Sequence, residues 1–151
     1  MGQFFQFESD FVESLRCVPM QVRYKLDTCG VKLKLAQWNQ FTQDDRQVLV
    51  HLPCEADQEV QQYRQMLHQM IVDRTGTTAT SLEIDPAPSW LNSAELPESV
   101  QQKAKEIGQT ISLAQWRKLT PLQRFALIKL SRSSHENHNF LPALEEFHLK
   151  Q

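Results

Sequence analysis

The sequence predicts an all-α protein, a compact helical bundle made of two tandem three-helix units related by internal duplication. Three observations lead there. Residues 18–53 align with residues 96–131 without a gap, at a constant offset of 78, and 12 of the 36 positions are identical; background usage would give about two. The identical positions include helix punctuation: Pro19 and Pro97, Gly30 and Gly108, Thr42 and Thr120. Between those marks apolar residues recur at helical spacing, and self-similarity at a fixed offset sets the architecture.

The first elements follow from that punctuation. Phe4, Phe5, Phe7 and Phe11 make residues 1–15 an apolar arm expected to pack on the core. Pro19 and Pro97 open helices, because the first turn has no intrahelical use for an N–H. Val18, Val22, Leu26 and Cys29 then form one apolar stripe, and Leu96, Val100, Ala104 and Ile107 form its counterpart. Gly30 and Gly108 close these helices in the left-handed conformation that glycine adopts without a side-chain clash.

The middle of each unit carries two opposed signals. Val31, Leu33 and Leu35 alternate with Lys32 and Lys34, which alone suggests a half-buried strand. Ser112 and Gln115 have the spacing of a capping box, so a short helix carrying Leu113 and Trp116 is expected, after a few extended residues. Trp38 and Trp116 lie in the shared Leu-Ala-Gln-Trp and are expected in the core rather than at an interface. Thr42 and Thr120 stand three residues before Asp45 and Gln123, and Pro121 follows Thr120, marking a third helix. Its apolar residues are Val48, Leu49 and Leu52 in the first copy. In the second, Leu122, Phe125, Ala126, Leu127, Ile128 and Leu130 make it apolar on nearly every side, as a central core helix would be. Arg46 and Arg124 are expected to brace helix ends, with anion binding as the alternative.

Outside the repeats, residues 55–74 read as a long amphipathic helix with Val60, Tyr63, Leu67 and Met70 or Ile71 on one face. Asp57 and Glu59 suit its positive end, and Thr75 and Gly76 end it. Residues 75–88 form the connecting loop, with a short extended piece at 81–84. Each half has about 70 residues, a size at which a lone core is marginal, so residues 1–151 are expected to form a single domain. After a polar loop at 131–139, Leu141, Leu144 and Phe147 or His148 suggest one last short helix.

Composition and motifs restrict the chemistry. The formal charge is −2, giving no global attraction to nucleic acid or an anionic membrane. Apolar runs are far shorter than the roughly 20 residues that span a bilayer, so the cytosol is the expected location. Cys17, Cys29 and Cys54 form no CxxC and are expected to be reduced. Cys29 reads as a small hydrophobe on an apolar stripe, while Cys17 and Cys54 remain open. His135 with His138, and His51 with Cys54, each offer two metal ligands where zinc takes three or four, so no metal site is expected. No GxGxxG, P-loop or GxSxG pattern occurs, and neither catalytic residues nor a cofactor is expected. The one charged region is 103–132, where Lys103, Lys105, Arg117, Lys118, Arg124, Lys129 and Arg132 face only Glu106, seven minus one or +6. Solvated helix faces explain it, as does docking to an acidic protein surface; a helix-turn-helix on nucleic acid is a weaker reading. Lys103, Lys105, Arg117, Lys118, Arg124 and Arg132 are the candidate partner-binding residues.

Residues 7–20 (FESDFVESLRCVPM), 22–30 (VRYKLDTCG) and 33–38 (LKLAQW) together resemble the nitrate reductase-associated protein family, and residues 113–121 (LAQWRKLTP) are in keeping. The likeness spans nearly the whole chain and is strongest over residues 7–53. The resemblance implies a setting: members occur mainly in cyanobacteria, with genes commonly close to those for nitrate reductase and molybdopterin synthesis, and no catalytic residues are assigned. It implies a non-enzymatic, cytosolic accessory protein of nitrate assimilation that assists assembly, maturation or regulation of a molybdenum-dependent nitrate reductase by protein contact. Its partners would be nitrate reductase or molybdenum-cofactor synthesis proteins. Two alternatives stand beside it: a pterin or other small molecule held between the halves, and nucleic acid bound through residues 103–132. A monomer is plausible, since duplication within a chain can replace a homodimer.

Overall fold

The computed structural model describes residues 5–8, 15, 17–132 and 139–149. Among them are eight α-helices and a single two-stranded sheet, so the protein is mostly helical. The chain divides into two compact units. Unit 1 holds the described residues from Glu8 to Ile84; unit 2 holds Phe5 to Phe7 and the chain from Asp85 onward.

Unit 1 starts its first helix, α1 (Met20–Cys29), behind Pro19, whose carbonyl accepts the N–H groups of Val22 and Arg23. Gly30 ends it at φ 75°, with its N–H on the Leu26 carbonyl. The alternating stretch that follows is extended only at β1 (Val31–Lys32), which pairs antiparallel with β2 (Thr80–Ser81). The extended piece expected at 81–84 therefore sits slightly earlier. Helix α2 (Leu35–Gln40) follows, then α3 (Gln43–His51) capped by Thr42, then the long α4 (Asp57–Thr75). Helix α4 packs on α1, α2 and α3 through Tyr63, Leu67 and Ile71, which join Val22, Leu26, Trp38 and Leu49 in one core. Two side chains depart from expectation: Val50 is buried, and Val48 is 39% exposed. The inward face of α3 runs through Leu49 and Val50, because α1 and α4 cover it from that side.

Unit 2 repeats the order with different surroundings. A 3-10 turn at Ser89–Leu91 precedes α5 (Glu98–Glu106), α6 (Leu113–Lys118), α7 (Pro121–Arg132) and α8 (Phe140–Glu146). Gly108 takes φ 73° just beyond α5. Helix α7 is the centre: Phe125, Ala126, Leu127, Ile128 and Leu130 are all buried, and α5, α8 and the 3-10 turn pack on it. The aromatic arm contributes here, for Phe5 is buried and its ring meets Phe7 at 5.3 Å and Phe147 at 5.2 Å. Phe4 and Phe11, and the pair His135 and His138, lie outside the described residues. No described helix is long and apolar enough to cross a membrane.

Candidate functional site

The residues identical at the offset of 78 build the interiors and helix starts of the two units. In unit 1 the Trp38 Nε1–H donates to the Leu15 carbonyl at 2.8 Å, and Arg46 Nη1 donates to the same oxygen at 3.1 Å. Arg46 also reaches the carbonyls of Trp38 and Asn39 at the end of α2. In unit 2 the Trp116 Nε1–H donates to the Asn92 carbonyl at 3.2 Å. Arg124 donates to Trp90 at 2.7 Å, to Leu119 at 2.6 Å and to Trp116 at 3.4 Å. Both tryptophans are fully buried. A buried indole N–H needs an acceptor, and a guanidinium with its fork of donors is suited to closing the orphan carbonyls of a short helix.

The other shared residues serve the helix starts. Thr42 and Thr120 accept the N–H groups of Asp45 and Gln123, whose side chains in return accept the threonine N–H. Gln37 and Gln115 reach back in the same way to Lys34 and Ser112. Asp45 differs from Gln123 in carrying a charge, and Arg74 of α4 pairs with it at 2.8 Å. Partial burial pushes the Asp45 carboxyl up, but the bonds from Arg74 and Thr42 outweigh this and hold it below the ordinary carboxylate range.

The candidate partner-binding residues divide into two kinds. Lys105, Arg117, Lys118 and Arg132 are exposed, in the last turns of α5, α6 and α7. The negative end of a helix favours a cation there, so part of the basic bias of residues 103–132 has a local cause. Lys103 is half-buried, 3.7 Å from Glu106, and the Lys129 ammonium lies 5.2 Å above the Phe125 ring. Arg124 is only 6% exposed and turned to three carbonyls inside unit 2, so it is a brace and no part of an exposed basic face. Lys25 of α1, the counterpart of Lys103, spends its ammonium on the carbonyls of Val50 and Leu52 at 2.7 and 2.8 Å. Burial lowers its pKa, against the opposing influence of Cys54 and Glu55.

His51 is exposed with Nδ1 2.8 Å from the Gln47 carbonyl, whereas Cys54 is buried. No group of three or more His, Cys, Asp or Glu suited to a metal occurs among the described residues. Sequence reasoning missed Leu15, Trp90 and Asn92, whose carbonyls receive the repeated Trp and Arg side chains. No residue-type signal marks a carbonyl acceptor, since every residue has one.

Comparison with known proteins returns one family. No curated protein and no solved structure matches the chain. The family model described as conserved nitrate reductase-associated protein matches residues 4–147, almost the full length. The match includes both tryptophans, both arginine braces and every exposed cation named above, and the chain belongs to the conserved nitrate reductase-associated protein family.

Proposed function

We propose that this protein is a non-enzymatic, cytosolic accessory factor of nitrate assimilation that acts on a molybdenum-dependent nitrate reductase by protein contact, in its assembly, maturation or regulation. The observation that carries this reading is the family match over residues 4–147, whose description ties its members to nitrate reductase. The distribution of buried and exposed side chains supports it. Trp38, Trp116, Arg46 and Arg124 are committed inside the units, which leaves Lys105, Arg117, Lys118 and Arg132 as charged groups free to meet an acidic partner surface. Affinity purification of the tagged full chain from nitrate-grown cells tests it. Recovery of nitrate reductase or of its cofactor-synthesis proteins is expected; recovery of neither, or salt-dependent retention of nucleic acid instead, would count against it.

We also infer that residues 18–53 and 96–131 descend from one duplicated unit. The gapless offset supports this, as do the parallel helix starts, the left-handed glycines and the Trp and Arg bonds at equivalent places.

A further inference from the structure

Unit 1 brings together two thiols that lie 25 positions apart, 54 minus 29. Cys29 is the last residue of α1, and Cys54 lies in the link between α3 and α4. Both are buried in the same core, at 0% and 3% exposure. Their sulfurs lean on neighbouring carbonyls of one helix: Cys29 Sγ on Leu26 at 3.7 Å and Cys54 Sγ on Lys25 at 3.8 Å. Lys25 lies one helical turn before Cys29, so the Cys54 sulfur sits at the turn of α1 that carries Cys29.

Two cations flank the pair. Arg64 Nη1 donates to the Cys29 carbonyl at 2.7 Å, and the Lys25 ammonium sits near Cys54. The bond from Cys54 lowers the Cys29 thiol against the opposing effect of burial, with help from the charge of Arg64. Cys54 moves up, through its bond to Cys29 and through burial, despite Lys25. The thiolate is the reactive form of cysteine, and Cys29, shifted toward it and bordering a groove, is the one placed to attack first. Cys29 also forms part of the wall of a groove of about 540 Å³, together with Arg64, Leu82 and Ile84.

We propose that Cys29 and Cys54 close an internal disulfide on oxidation, making unit 1 a reversible dithiol switch that ties the end of α1 to the α3–α4 link. The oxidant is of the peroxide class, because the Cys29 thiol borders the groove with no exposed surface of its own and only a very small molecule would reach it. The Cys29 thiolate attacks one peroxide oxygen and the O–O bond breaks, leaving a sulfenic acid and a hydroxide that takes up a proton as water. The Cys54 sulfur then attacks the sulfenic sulfur, the S–O bond breaks, and a second water leaves with the Cys54 proton. Two thiols lose two electrons and two hydrogens, and one peroxide becomes two waters. A dithiol reductant reverses the change. This inference rests on the geometry of unit 1 and is independent of the nitrate reductase reading.

The test oxidises the folded full chain with hydrogen peroxide, alkylates the remaining thiols under denaturing conditions and maps peptides without reduction. A Cys29–Cys54 crosslinked peptide with Cys17 alkylated is expected, along with a melting temperature raised by about 5 °C that returns on adding dithiothreitol. Cys17→Ser should keep the crosslink, and Cys54→Ala should abolish it. Three alkylated thiols after oxidation, a crosslink through Cys17, or a Cys29–Cys54 crosslink that forms only when urea precedes the peroxide would each overturn the proposal.

Discussion

In unit 1 Trp38 and Arg46 both donate to the carbonyl of Leu15; in unit 2 Trp116 donates to that of Asn92 and Arg124 to that of Trp90, with no acceptor in common. The guanidinium of Arg46 lies 5.6 Å from the Trp38 ring, in a partly open setting. That of Arg124 is enclosed, and the Trp90 ring stands edge-on to Phe125 at 5.0 Å beside it. The same three residue types, Trp, Arg and Thr, thus hold a short helix to the next in both units, while the chain that supplies the acceptors differs. What the two units have in common is the set of donors. The acceptors are backbone atoms and can come from any segment that passes at the right distance.

Truncating the indoles should break the comparison most severely. Trp38→Ala and Trp116→Ala each remove a fully buried side chain and one hydrogen bond to a carbonyl, and chemical denaturation should show losses of about 3–5 kcal/mol for both. A loss below about 1 kcal/mol in either unit would mean that the two tryptophans are not equivalent core elements.

The glycines should separate the units. Gly30 and Gly108 both have positive φ, so alanine at either position costs about 1–2 kcal/mol from the left-handed conformation. A Cβ on Gly30 would also lie 2.7 Å from Ile84 Cγ1 and 3.0 Å from the Leu82 carbonyl, whereas one on Gly108 meets nothing within 4 Å. Gly30→Ala is therefore expected to cost more than Gly108→Ala, by about 1 kcal/mol or more, in matched thermal melts. Equal losses would show that the 82–84 segment yields freely.

Asp45 against Gln123 gives the smallest effect. The depressed Asp45 carboxyl contributes stability that is present above the unfolded value of about 3.9 and is lost as pH falls through its lower folded value. Asp45→Asn keeps an oxygen for the Thr42 N–H but removes the charge facing Arg74. It should lower the melting temperature by about 1–2 °C at pH 7, and the gap should close in strong acid. A gap that persists below pH 2 would assign the effect to the cap alone. Gln123→Asn, with no such ion pair to lose, shortens the side chain that accepts the Thr120 N–H and should show no pH-dependent gap.

The helix starts and ends were the most legible part of the fold, because Pro19, Gly30, Thr42 and Gly76 act through local backbone geometry. Tyr63, Leu67 and Ile71 were legible from periodicity over a long helix. Val50 was not: α3 spans nine residues, too few turns for its stripe to declare which neighbour covers it. The β1–β2 pairing joins residues 48 and 50 positions apart (80 minus 32 and 81 minus 31), and short alternation cannot name its partner. Among the candidate residues, the sequence identified basic character without distinguishing the enclosed Arg124 from the exposed Arg132, a difference made by where the Trp90 segment passes. The approach of Cys54 to the end of α1 was hidden for the same reason, since it is made by packing α1 against the α3–α4 link.

Contact with nitrate reductase is tested most directly by titrating the purified enzyme with the purified full chain, beside a variant with Lys105, Arg117, Lys118 and Arg132 each changed to Glu. The wild type should bind saturably and lose affinity as salt rises, and the fourfold variant, folded by circular dichroism, should bind at least about tenfold more weakly. Absence of saturable binding by the wild type at low salt would contradict a function through contact with that enzyme, and equal binding by the variant would contradict the part assigned to these four cations.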